Sequence, residues 1–170
     1  MKRSVWALLV STTFVAMAGS ASADVRYLAF DADDRATQAL TRGITLEVER
    51  GMFGATRVRG LFSTSSRGSA SFRQQSVDGV QDVVPAEGRG GSIYAIEPEG
   101  DGRALSRALC PGSEQAWLVV GRVRSGHPIT IHAVGHWPDG KKRHCVALNY
   151  RYRGEWARLP NVLSDMPSDR

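Results

Sequence analysis

The sequence predicts a mostly β protein, an antiparallel sandwich or small open barrel with one or two short helices, behind an N-terminal signal peptide. Three observations carry this reading. First, residues 116–156 contain three apolar, β-branched runs: Ala116-Trp117-Leu118-Val119-Val120-Gly121-Arg122-Val123, Ile129-Thr130-Ile131-His132-Ala133-Val134 and His144-Cys145-Val146-Ala147-Leu148-Asn149-Tyr150-Arg151-Tyr152. Ser125-Gly126-His127-Pro128 and Pro138-Asp139-Gly140-Lys141 punctuate them, which is the pattern of an antiparallel meander. Second, Ile44-Thr45-Leu46-Glu47-Val48-Glu49 alternates strictly, as a half-buried strand does. Third, Lys2 and Arg3 precede an apolar segment from Val5 to Met17, and Ala21-Ser22-Ala23 supplies a small-x-small cleavage signal.

The apolar segment at the start is shorter than the roughly 20 residues a membrane helix needs, and Ser11, Thr12 and Thr13 interrupt it. The expected division is therefore a signal peptide over 1–23, one β-rich domain over 24–158 and a partly flexible tail over 159–170. A periplasmic or secreted location follows, with no transmembrane span in the mature chain. Cleavage removes two basic residues and no acidic one, so the formal charge of +5 falls by two. A charge that mild indicates no specific nucleic-acid partner. In an oxidising compartment Cys110 and Cys145 are expected to form a disulfide, worth roughly 3–4 kcal/mol by loop-closure arithmetic.

Along the chain, Val25 to Phe30 reads as the first strand. Residues 35–42 read as a short helix capped by the acidic run at 31–34 and stopped by Gly43. Those acids lack the Gly and terminal Glu of a calcium loop. Ile44 to Glu49 and Thr56 to Phe62 form a predicted hairpin through Gly51-Met52-Phe53-Gly54, with Glu47 and Glu49 opposed to Arg57 and Arg59. Residues 63–71 are serine-rich and read as loop, as do residues 77–91 apart from a possible short strand at Val80 to Val84. Ser92 to Ile96 is a further strand. Residues 103–109 form a helix with Leu105 and Leu109 on one face and Arg103 and Arg107 opposite, capped by Asp101 and ended by Pro111-Gly112. In the third run of the meander, alternation places Val146, Leu148, Tyr150 and Tyr152 on one face and Cys145, Ala147, Asn149 and Arg151 on the other.

All four histidines fall between His127 and His144. His132 and His136 have the spacing of a helical zinc pair, but their β-branched neighbours and Gly135 argue for a strand. On a strand they share a face yet lie about 13 Å apart, whereas His144 approaches one of them across the hairpin. His132, His136 and His144 are thus the candidate metal ligands of an alternative reading, a metal-assisted periplasmic hydrolase. The leading reading is a non-catalytic binding or envelope-accessory protein. No nucleophile elbow or phosphate loop occurs, and no cofactor is expected. Its candidate contact residues are His127, Trp137, Lys141, Lys142 and Arg143, an aromatic and basic surface suited to an anionic envelope component such as a glycan or lipid headgroup, or to another exported protein.

Overall fold

The structure, a computed structural model, describes residues 24–51, 56–63 and 69–158. The expected signal peptide, the tail from residue 159, most of the Gly51–Gly54 turn and the centre of the serine-rich stretch lie outside the described residues.

Eight strands form a closed barrel in sequence order, each antiparallel to the next. They are β1 (Asp24–Ala32), β2 (Gly43–Arg50), β3 (Thr56–Ser63), β4 (Ser69–Gln74), β5 (Ser92–Ile96), β6 (Gln115–Val120), β7 (Ile129–His136) and β8 (Lys142–Trp156). Two short helices interrupt the series: α1 (Arg35–Thr41) between β1 and β2, and α2 (Gly102–Leu109) between β5 and β6. The mostly β class, the small barrel and the two helices agree with the sequence. The sheet is not a sandwich, however, and the barrel is closed where an open one was expected, because the serine-rich stretch ends in a strand. Ser69-Ala70-Ser71-Phe72 sends Ala70 and Phe72 inward and its serines outward, so β4 bridges β3 to β5 and leaves no gap.

The inward faces fill the barrel with side chains. Leu28 and Phe30, Ile44 and Leu46, Leu118, Ile131 and Leu148 are all essentially inaccessible. Two tyrosines complete the interior, and each phenol is bonded. Tyr94 Oη accepts from the Val58 amide at 3.2 Å, and Tyr150 Oη pairs with Thr41 Oγ1 at 2.8 Å. Burial pushes the Tyr150 phenol far above its ordinary pKa, so it stays protonated as a donor.

Three bulges accommodate the curvature, leaving Arg153 unpaired between β8 and β1, Arg59 between β3 and β2, and Cys145 between β8 and β7. The last one changes which residues face in. Ala133 pairs with Val146, but Val134 pairs with His144, so Cys145 joins Val146 against the interior cluster. Simple alternation put Cys145 with Ala147. The bulge places it with Val146 and turns His144 to the outer wall.

In an antiparallel barrel successive connections alternate between ends. The links carrying α1 and α2 and the Trp137–Lys141 turn therefore share one end, while the 121–128 link lies at the other. α1 begins as predicted, with Asp34 Oδ1 accepting from Thr37 N at 2.8 Å. The Asp34 carboxyl is held below its usual range chiefly by that bond, and by the amide of Asn149. α2 buries Leu105 and Leu109, but Asp101 does not cap it. That carboxylate accepts from Ser69 N at 3.2 Å, tying the helix start to β4.

Residues 77–91 form an outer layer. Val80 to Val84 is not a strand, because β5 already has a neighbour on each side and offers no free edge. The segment makes single 3-10 turns at Gln81–Val83 and Ala86–Gly88. It packs Val77, Val80 and Val84 on Ile93, Trp117, Val119 and Val134. The Gln81 amide stitches it shut, donating to Gly91 O at 2.7 Å and accepting from Gly90 N at 3.0 Å.

Cys110, the residue that ends α2, is bonded to Cys145, with Cα atoms 5.4 Å apart. No helix among the described residues is long and apolar enough to cross a membrane. Replacing both cysteines by serine is expected to lower unfolding stability by roughly 3–4 kcal/mol. Denaturant titration checks this, and a loss under about 1 kcal/mol would show that the bridge closes no costly loop.

Candidate functional site

Two sites take shape on the outside of the barrel, one at the helical end and one on the wall formed by β7 and β8. At the helical end, α2 presents Arg103 and Arg107 one turn apart on the face opposite Leu105 and Leu109. The chain then turns through Pro111 and Gly112 (φ +80°) into β6, which runs beside the helix. Between them lies a cleft of about 590 Å³ lined by Arg103, Ser106, Arg107, Glu114, Gln115 and His136, among others. Both guanidiniums are exposed, and neither is in an ion pair among the described residues. Glu114, the only carboxylate among the described residues that line the cleft, lies 3.8 Å from His136.

The Trp137–Lys141 turn borders this end. Gly140 (φ +75°) lets it close, with Gly140 N donating to Trp137 O at 2.9 Å. The Trp137 ring lies against Gly135, where a Cβ would come within 2.7 Å of it, and reaches Gly112 beyond α2. Arg143 stacks over the same ring with its guanidinium carbon 5.1 Å from the ring centre, and it is paired with Asp139. Hydrogen bonds, above all from the Lys141 amide, hold the Asp139 carboxyl below its ordinary pKa.

The predicted contact residues are thus only partly brought together. Trp137, Lys141 and Arg143 share the helical end. Lys142 turns to the outer wall, its ammonium 6.0 Å from the Trp117 ring. His127 belongs to the 121–128 link at the far end, its Nδ1 3.0 Å from Ser125 O. Arg103, Arg107, Ser106 and Gln115 are additions the sequence did not single out as a site. Their signal was present as the polar face of α2, but nothing local reveals that β6 returns alongside it.

On the outer wall, His132 Nδ1 lies 3.1 Å from His144 Nε2. His132 is 3 % exposed, and Gly88 sits so close that a Cβ there would fall 2.2 Å from its Nε2. Below it opens a second cleft of about 400 Å³, lined by Glu87, Gly88–Gly91, Arg122, Thr130 and His132. His136 does not join the pair; its ring centre is 6.5 Å from Trp117 instead. Among the described residues no three metal-ligating side chains converge. Burial lowers the pKa of both paired imidazoles, the charge of His144 lowers that of His132 further, and the carboxylate of Glu87 opposes both shifts.

No protein-family model, curated protein or solved structure matches this chain.

Both imidazoles bind protons less readily folded than unfolded, where the ordinary value is 6.5. The unfolded chain therefore takes up more protons as pH falls below about 6.5, and stability must decline through that window. Thermal melts from pH 7.5 to 5 with a chelator present are expected to show this decline, and His144→Gln should flatten it. An equal decline in the variant would place its origin elsewhere.

Proposed function

We propose that the chain is an exported, non-catalytic binding module that takes an anionic ligand at the helical end of its barrel. The observation that carries this reading is the pair of arginines, Arg103 and Arg107, without an ion-pair partner among the described residues and lining one cleft with neutral donors from Ser106 and Gln115. A guanidinium offers a planar fork of donors that matches a phosphate or carboxylate, and a partly enclosed cleft strengthens such bonds over their value in water. Lys141 adds an exposed positive charge at the same end, where Arg143, paired with Asp139, stacks over the Trp137 ring.

The disulfide supports this reading by fixing where α2 stands. It ties the helix terminus to β8, so the backbone that carries the two arginines needs no separate ordering on binding. The interior supports it differently. Side chains fill the barrel, so a ligand meets the outer surface and the ends. A hydrolase has less support, since His136 stands apart from His132 and His144.

The ligand class is an acidic envelope component, either a lipid headgroup or an acidic glycan, and both present oxyanions to a guanidinium. Zwitterionic vesicles doped with phosphatidylglycerol test the first source and heparin the second. Binding to one of them is expected, weakening as salt rises. Arg103→Ala with Arg107→Ala should weaken it by at least about tenfold while leaving the melting temperature in place. Undiminished binding by the double variant, or no binding to either probe at low salt, would defeat the proposal.

A further inference from the structure

The His132–His144 pair lies on a different face from the arginine cleft, and nothing in the anion-binding reading uses it. It exists because of one irregularity. With regular pairing, β8 would turn His144 inward and Cys145 outward; the bulge between Ala133/Val146 and Val134/His144 reverses both. His144 then stands diagonally across from His132, which pairs with Ala147 on the ladder.

The two nitrogens that face each other are 3.1 Å apart. A metal bound to both at about 2.0–2.1 Å would see them at an angle of about 95–100°, between the tetrahedral and octahedral ideals. The spacing therefore suits a shared ion as well as a shared proton. Glu87 lines the same cleft as His132, so a carboxylate stands beside the pair. Cys110 and Cys145 are joined to each other, so no thiolate competes for the ion.

We propose that His132 Nδ1 and His144 Nε2 bind a divalent transition metal, zinc or copper, on the outer wall of the barrel beside the cleft at Glu87. In the metal-free pair one ring donates its proton to the other. On binding, both facing nitrogens become lone-pair ligands, and each ring keeps its single proton on the nitrogen turned away, so no net proton is released at neutral pH. Water would complete the coordination, because among the described residues no third metal-ligating side chain converges on the pair. His144 is half-buried and adjusts its ring to the ion, whereas His132 is fixed by Gly88.

The test uses the disulfide-bonded chain purified without a polyhistidine tag and titrated with Zn²⁺ by calorimetry, with melting temperature as a second readout. One equivalent is expected to bind and raise the midpoint. His144→Gln should weaken binding at least tenfold and abolish the midpoint shift, as should His132→Gln. His127→Gln and His136→Gln should change neither. The proposal fails if one equivalent does not bind, if binding survives His144→Gln, or if His136→Gln weakens it equally. Should His132→Gln prevent folding, the partly exposed His144 alone decides the matter.

Discussion

β8 is 15 residues long because it must pair with β7 through Lys142–Tyr150 and with β1 through Tyr150–Trp156. Without the second pairing, β1 and β8 would be edges, and the apolar faces of Leu28, Phe30, Leu148 and Tyr150 would meet solvent or another chain. Closure abolishes those edges and forces each inward residue against its counterparts across the barrel. It also dictates where everything else can go. Additional segments cannot extend the sheet, so they must lie across its outer face or over an end.

Residues 77–91 take the first course and the two helices the second. The outer layer explains why β6 reads as an unbroken apolar run, where a half-buried strand would alternate. Ala116, Leu118 and Val120 face the interior, while Trp117 and Val119 face the valines of the overlying segment. The same covering buries His132, an outward residue that would otherwise be solvated. α1 is anchored by polar bonds: Asp34 to Asn149, Thr37 Oγ1 to the Asn149 amide, and Thr41 to Tyr150. α2 is anchored by leucines and a covalent bridge.

Most of the strands were legible because each carried its own periodicity or turn chemistry. Ile44 to Glu49 alternates, and Pro138-Asp139-Gly140 stops one run and begins the next. The Asp34 cap was legible for the same local reason. β4 was not, since Ser, Ala and Arg carry little strand preference and only Ala70 and Phe72 bury; its pairing comes from the partners on either side. The missed strand converts an open sheet into a closed one. Cys110 and Cys145 as a pair followed from arithmetic and compartment, but which way Cys145 faces did not, because a bulge leaves no composition signature. For the same reason the sequence offered His144 to His132 or His136 alike, and the fold chose His132. His127 and the Lys141–Arg143 turn look close along the chain, yet the alternation of connections sends them to opposite ends.

The bulge at Cys145 links the features outside the core. By inserting one residue it turns the Cys145 sulfur inward to reach the end of α2 and an imidazole outward to meet His132. The disulfide so formed fixes the helix that presents Arg103 and Arg107, so both outer sites depend on one local departure from regular pairing. An irregularity in a strand buried between two neighbours costs ladder hydrogen bonds, and a fold under no other constraint would lose it. Here its removal would return Cys145 to the outer face, out of line with Cys110, and place a histidine in an apolar interior. The closed barrel therefore holds the bulge in place, and the bulge holds the surface.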